Sequence, residues 1–459
     1  MLDQTLEDTI IAVSTPPGYG GIGIVRLSGR DALKIAKAFF RPKKATSKIP
    51  PRRAVLGNLM NLETEEVFEE AYLLYFQAPH SYTREDVAEI SCHGSPTVME
   101  EAVRLGIRAG ARHARAGEFT LRAYLRGRLD IIQAEAVNDL IRAGTIETAH
   151  LAFSQLDGKL SKKIEGFRAG VIDILSQIEA VIEFPEDRLP VTPGKMAINL
   201  EKMIILMDDL VSSYEGGRAL IEGVTLAIAG RTNVGKSTLF NAILEDERAI
   251  VTPHPGTTRD YLREKIKIKD AYFNLVDMAG LGKAGSSVER EGMRRGKKIA
   301  SSAEGLLILL DASRPEDRED LALLEEFRNK KALILFNKID LGLKMDMAKI
   351  KERFGHLSFL EISALRGTNL NRLRKKIYEI FAPKMQNREN VIFHLRQKLL
   401  LEDVLRHLKK GRELLLKGHS EEIYADEIRK TLPFLSQLTG EIKADNVIER
   451  IFGRFCVGK

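Results

Sequence analysis

The run Gly230-Arg-Thr-Asn-Val-Gly-Lys-Ser237 constrains this chain more than any other feature, because it lies between the apolar run Val224-Thr-Leu-Ala-Ile-Ala229 and a helix-like stretch from Thr238 through Leu244. A glycine-bounded loop that ends in Lys-Ser and joins a buried strand to a helix commits the segment to an α/β layer. Glycines at 230 and 235 let the backbone bend tightly and turn successive N–H groups into one concavity, to which the following helix adds the positive end of its dipole. Such a concavity takes phosphate. Lys236 is placed to neutralise the β- and γ-phosphates of a nucleoside triphosphate and Ser237 to ligate magnesium.

Three further signals follow in order. Asp277-Met-Ala-Gly280 closes the strand-like run Tyr272-Phe-Asn-Leu-Val276, so that the carboxylate can hold the magnesium shell and the glycine N–H can meet the γ-phosphate. Asn337-Lys338-Ile-Asp340 follows the buried-strand pattern Ala332-Leu-Ile-Leu-Phe336. A carboxylate at Asp340 can accept from the ring N–H and the exocyclic amine of guanine, whereas adenine offers no such donor pair. Ser363-Ala364-Leu365 follows Phe359-Leu-Glu-Ile362 and fits a loop that backs the base. The predicted GTP contacts are therefore Asn233, Val234, Gly235, Lys236, Ser237 and Thr238, then Asp277, Met278, Ala279 and Gly280, with Asn337, Lys338, Asp340, Ser363, Ala364 and Leu365 around the base. The expected activity is GTP hydrolysis.

Leu281 stands directly after the Asp-x-x-Gly glycine, where Ras-type enzymes carry a glutamine that orients the attacking water. An apolar side chain cannot do so. Asn233 together with Thr252, Pro253, His254, Pro255, Gly256, Thr257 and Thr258, a run also expected to contact GTP, offers a substitute, since such a loop can turn carbonyls and an amide oxygen toward one monovalent cation beside the phosphates. On residues alone, a plain switch loop is an equal reading.

Composition sets outer limits. At 459 residues and 44% hydrophobic content the chain is long enough for two or three domains. Cys92 and Cys456 are its two cysteines, too few for a disulfide framework and, with scattered histidines, a poor zinc set. No apolar run approaches the roughly 18 residues a membrane span needs, and the acidic start Met1-Leu-Asp-Gln-Thr-Leu-Glu-Asp8 is unlike a signal peptide. A cytoplasmic location is expected. The net charge of +7 suits an RNA partner without requiring one.

The pattern predicts a multidomain chain. Residues 1–120 mix glycine-rich turns with short apolar runs, as an α/β domain does. Residues 121–215 read as helical, with Ile131, Ala134, Val137 and Ile141 on one face and a long amphipathic stretch from Leu160 to Ile182. Pro185, Pro190 and Pro193 interrupt it, and Gly216-Gly217 is expected to open a Ras-like α/β P-loop GTPase domain over 216–382. Residues 383–459 return to helical spacing through Leu401, Val404, Leu405 and Leu408. The GTPase domain is then an insertion in a helical bundle. Ile448, Ile451, Phe452 and Phe455 recur at helical spacing, which predicts a docked tail with the Cys456 thiol aimed inward.

The phosphate loop with Asn233, the run Gly256-Thr-Thr-Arg-Asp260 and the ending Phe455-Cys-Val-Gly-Lys459 together resemble the MnmE (TrmE) family of tRNA modification GTPases. Asp8-Thr-Ile-Ile-Ala12, Thr15-Pro-Pro-Gly18, Gly20-Gly-Ile-Gly-Ile-Val-Arg26, Ala78-Pro-His-Ser-Tyr-Thr83, Cys92-His-Gly94 and Ala116-Gly-Glu-Phe-Thr120 extend the resemblance over the whole chain. It implies potassium held by Asn233, Thr252, His254 and Thr257, magnesium held by Ser237 and Thr258, and Glu289 as general base or water positioner, a residue that on sequence chemistry alone is a solvated carboxylate. The Pro-His-Pro of 253–255 departs from the acidic and aliphatic residues usual in that loop. The resemblance also implies that the N-terminal domain binds a reduced folate, 5,10-methylene-tetrahydrofolate or its 5-formyl analogue, through Arg26, Glu89, Arg128 and Lys459. Position 128 is often lysine in the family. It further implies a homodimer, a flavin partner of the MnmG type carrying FAD, and addition of a carboxymethylaminomethyl or aminomethyl group to C5 of the wobble uridine of tRNA, with Cys456 required for that step and dispensable for GTP hydrolysis. The rival reading is a ribosome-assembly GTPase, in which the nucleotide domain times an RNA-binding event. Arg104, Arg108, Arg112, Arg115, Arg122 and Arg126 surround Arg128 in sequence and read either as a solvated face or as phosphate contacts.

Overall fold

A computed structural model of the chain describes residues 7–44, 48–183, 193–245, 263–277, 302–383, 391–441, 448, 451–453 and 455–459. It divides into two compact units, one of Met1–Ile141, Ala152–Asp208 and Leu399–Lys459, the other of Arg142–Leu151 and Asp209–Lys398.

The first unit is built on seven strands: β1 (Ile10–Val13), β2 (Gly20–Ser28), β3 (Phe40–Pro42), β4 (Val55–Met60), β5 (Val67–Phe76), β6 (Val87–Gly94) and β7 (Arg112–His113). Their order is β3-β4-β5-β6-β2-β1-β7, with antiparallel pairs except for β1 beside β7. Alternate residues of a strand face opposite sides. Val25 and Leu27 of β2 enter a core with Ile90, Cys92, Ile35, Phe39 and Met99, which brings the helices Ala32–Phe39 and Pro96–Arg108 onto one face. Arg26, between them, belongs to the other face.

Helices make up the rest of this unit. The helix Lys159–Glu183 buries Leu160, Ile164, Phe167, Val171, Ile174, Leu175 and Ile178, a 3.6-residue stripe against which the helices Glu421–Arg429 and Thr431–Thr439 pack. Leu401, Val404, Leu405 and Leu408 are buried. The helix Ile131–Arg142 departs from the expected face: Ile131, Ile132, Ala134, Glu135, Ala136 and Asp139 are buried and Ile141 is exposed. Glu135 and Asp139, four residues apart, share the inward side, a polar demand that apolar periodicity does not register.

The second unit holds β8 (Val224–Gly230), β9 (Arg263–Ile268), β10 (Ala271–Asp277), β11 (Gly305–Asp311), β12 (Ala332–Asn337) and β13 (Ser358–Glu361). The order is β13-β12-β11-β8-β10-β9, parallel throughout except that β9 runs against β10. Every residue of β11 and β12 is buried, as central strands covered on both faces require. Gly216 and Gly217 fall inside the helix Tyr214–Glu222 and do not form a linker. A Cβ at Gly217 would collide with the Ile392 carbonyl, so that glycine admits a close packing contact. The compact unit that holds this sheet comprises Arg142–Leu151 and Asp209–Lys398.

Candidate active site

Gly230, Asp277, Asp311 and Asn337 end four adjacent parallel strands, so their side chains or loops gather at the carboxyl edge of the sheet, where open α/β sheets bind ligands. The loop after β8 turns through Asn233 at φ +61° and Gly235 at φ +101° into the helix Lys236–Glu245. Both glycines are required by packing as well as by conformation, because a Cβ at Gly230 would meet the Leu309 carbonyl at 2.7 Å and one at Gly235 the Asn337 amide at 2.5 Å. Lys236 is buried, and its ammonium donates to the carbonyls of Gly230 (2.8 Å) and Arg231 (2.6 Å), which folds it over the loop it serves. Burial pushes its pKa down, partly countered by Asp277. A cation desolvated in this way is stabilised by an incoming phosphate.

Ser237 Oγ donates to Asp277 Oδ2 at 3.0 Å. A hydroxyl and a carboxylate at that spacing, beside a helix N-terminus, form a hard-oxygen donor set that fits magnesium held together with nucleotide phosphates. Thr238 is exposed beside them. The metal's contribution is charge neutralisation at the phosphoryl oxygens.

Asn337 is buried and spends both ends of its amide inside the protein: Nδ2 donates to the Val234 carbonyl (2.7 Å) and Oδ1 accepts from the Ala364 N–H (2.9 Å). It ties the phosphate loop to the Ser363-Ala364-Leu365 loop. Lys338, at φ +65°, donates to the Asn233 carbonyl (2.6 Å) and to Asp311 Oδ2 (2.7 Å). Asp311 is a site residue that the motifs do not include; its one sequence signal is an Asp closing an apolar strand two residues before a serine. Asp340 is exposed on the short turn Ile339–Leu341, Leu365 is exposed, and Ser363 is buried, its Oγ accepting from the Arg366 N–H. Thr252, Pro253, His254, Pro255, Gly256, Thr257, Thr258, Met278, Ala279, Gly280 and Glu289 lie outside the described residues.

A second cluster forms in the first unit. Arg26 and Glu89 are cross-strand partners of β2 and β6 and pair at 2.7 Å. The Arg26 guanidinium lies over the rings of Tyr82 and Phe119. Arg128 lies 4.7 Å from the centre of the same Tyr82 ring and donates to the Tyr82 carbonyl. The chain's last residues reach the same place. Val457 bridges Ala116, the Phe119 N–H donates to the Lys459 carbonyl, and the Gly458 carbonyl accepts from Ser14 Oγ. Burial and the neighbouring Arg26 hold the Lys459 pKa down, against the opposing influence of Cys456 and Glu89. A half-buried ammonium beside an arginine can receive an anionic group, and a carboxylate such as Glu89 can accept from ring N–H donors. The tail docks through Ile448, Phe452 and Phe455, all buried, but Cys456 itself is exposed, because its residue follows Phe455 onto the open side of the chain. Cys92 is buried in the sheet core, and its thiol is pushed up to about 11 by burial.

The arginines expected as one exposed face are mostly consumed by carboxylates. Arg122 is fully buried against Asp8, Glu85 and Glu118; Arg112 pairs with Asp8 and Glu118, Arg126 with Glu85, Arg104 with Glu101 and Arg108 with Glu63. Arg115 is exposed.

Fold and site together define a P-loop GTPase domain carried by a multidomain chain. Residues 9–128 match the model of the GTP-binding protein TrmE N-terminus, and residues 131–456 that of the MnmE helical domain. The tRNA modification GTPase MnmE of Aquifex aeolicus (strain VF5) is 40% identical over 99% of this chain and 100% of its own. Its counterparts in Syntrophotalea carbinolica and Thermotoga maritima are 39% and 38% identical, over 99% and 98% of this chain and 99% and 100% of theirs. The chain belongs to the MnmE family of tRNA modification GTPases and is a GTP hydrolase. Among solved structures, a variant of Aquifex aeolicus Era bound to GDP.AlF4- is 26% identical over 40% of this chain and 66% of that one, with a TM-score of 0.29 that is too low to bear on the fold. No helix among the described residues is long and apolar enough to cross a membrane.

Proposed function

We propose that the chain is a potassium-activated GTPase of the cytoplasm that works as a homodimer with an MnmG-like FAD protein. Together they add a carboxymethylaminomethyl or aminomethyl group to C5 of the wobble uridine of certain tRNAs. The domain plan is an N-terminal folate-binding domain, a helical domain in two parts and an inserted GTPase domain. Lys236 and the loop N–H groups hold the triphosphate, Ser237, Asp277 and Thr258 hold magnesium, Asp340 selects guanine, and Glu289 positions the attacking water. Potassium lies on Asn233, Thr252, His254 and Thr257.

One observation carries this reading: the C-terminal Cys456 and Lys459 stand with Arg26 and Glu89 in one unit, although the chain between them contains the whole nucleotide domain. A timer GTPase has no use for a thiol and two cations around a carboxylate. A reduced folate supplies the one-carbon unit; Arg26, Glu89, Arg128 and Lys459 bind it, Glu89 accepting from the pterin donors, and Cys456 acts at the transfer. Equilibrium binding of 5-formyl-tetrahydrofolate tests the assignment. Glu89→Gln is expected to weaken it tenfold or more with GTP turnover unchanged, and equal affinity in the variant contradicts the site.

A further inference from the structure

Two short segments of this chain are strongly basic, residues 104–128 with seven arginines against one acid, and residues 30–53. Residues 30–53 hold nine of its 71 lysines and arginines and one of its 64 acids, so the remaining 62 bases and 63 acids leave the rest of the molecule at a net −1. Lys34 and Lys37 stand on the outer side of the helix Ala32–Phe39, whose inner stripe is Ala32, Ile35, Ala36 and Phe39, with Arg30 in the turn before the helix and Arg41 in the strand after it. The described segment continues through β3, the outermost strand of its sheet, to Lys44, Arg52 and Arg53. All these side chains are exposed. Lys43 pairs with Glu70; Arg30, Lys34, Lys37, Arg41, Lys44, Arg52 and Arg53 have no carboxylate partner among the described residues.

The contrast with the neighbouring arginines decides the reading. Arg104, Arg108, Arg112, Arg122 and Arg126, in the same domain, are each paired with carboxylates. One or two lysines suffice to guard an edge strand from aggregation. Arg30, Lys34, Lys37, Arg41 and Lys44, on the helix and the strand and turns that flank it and without a carboxylate partner among the described residues, instead form the electrostatic footprint of a polyanion. We propose that this surface docks the phosphate backbone of RNA, resting on the reading of tRNA as substrate. The helix covers the sheet face opposite Arg26, and β3 lies three strands from β6, about 14 Å at ~4.8 Å per strand. The patch therefore holds the body of the RNA and does not touch the reacting base.

The test is tRNA binding by the full chain between 50 and 200 mM salt. Replacing Arg30, Lys34, Lys37 and Arg41 by glutamine is expected to lower the slope of log affinity against log salt by about 3 and affinity at least about tenfold. GTP turnover stays at wild type, and the double variants Arg30→Gln/Lys34→Gln and Lys37→Gln/Arg41→Gln each show about half the slope change, so a folding defect in the quadruple variant cannot mask the result. An unchanged slope and affinity in all three overturns the proposal. Binding of the wild-type chain to phosphatidylserine vesicles but not to tRNA also overturns it, in favour of a lipid surface. Loss of the modification reading in nucleoside analysis, with the slope change intact, removes the substrate assignment and leaves the RNA surface standing.

Discussion

Asp311 and Asn337 show how single side chains couple the base site to the phosphate loop. Asp311 accepts from Lys338, which also holds the Asn233 carbonyl, so one carboxylate ties a residue predicted beside the base to one predicted to hold the cation. Burial alone would raise the Asp311 pKa, but the bonds from Lys338 and Ser313 more than offset it and hold it below the usual range. A depressed pKa contributes stability above the unfolded value that is lost as pH falls through the folded one. Asp311→Asn should therefore cost about 1–3 kcal/mol at neutral pH, with the difference from wild type shrinking in acid; an equal difference at both pH values contradicts it. Steady-state kinetics should show a raised KM for GTP with kcat less affected. The two thiols differ as sharply: Cys456 should alkylate readily in the native chain and Cys92 only on unfolding, as its burial and raised pKa require. Mass spectrometry after brief iodoacetamide treatment distinguishes them, and native labelling of Cys92 contradicts the packing. At this scale the P-loop glycines, Lys236 and Ser237 are legible because their chemistry is contiguous. Asn337's double bridge is not, since its partners lie 103 and 27 residues away. Arg122 reads as a surface cation because two of its carboxylate partners, Asp8 and Glu85, are distant in sequence, although Glu118 at i−4 hints at a pair.

Among the elements, the docked tail is the one whose geometry makes the strongest demand. Gly458 adopts φ +95°, and a Cβ there would collide with the Val13 carbonyl. A side chain at 458 cannot keep the tail in place. Gly458→Ala is expected to displace Cys456 and Lys459, abolishing folate binding while leaving GTP hydrolysis within about twofold; retention of folate affinity contradicts the role of the tail. The helical spacing of Ile448, Phe452 and Phe455 announces a buried face, but not which surface receives it, because the Ser14 to Gly458 contact spans 444 residues. The two lysines of the helix Ala32–Phe39 do not by themselves announce a basic surface in the sequence. They are obscured by the more numerous arginines of 104–128, which tertiary pairing neutralises.

The whole molecule places a nucleotide site in one compact unit and the cluster of Arg26, Glu89, Arg128 and Lys459, proposed to bind folate, in the other. The division of labour predicts that the two activities separate by mutation. It also predicts that sodium does not replace potassium in GTP turnover; equal rates in the two salts contradict the cation assignment. Mass spectrometry of tRNA nucleosides tests the central claim most directly, in a strain lacking this gene and restored with either the wild-type chain or Cys456→Ser. The account predicts that the C5 modification of the wobble uridine is lost with the gene, returns with the wild type and stays absent with Cys456→Ser, whose purified GTPase remains near wild type. An unchanged modification profile in the deleted strain would contradict it and make ribosome assembly the leading role for the GTPase.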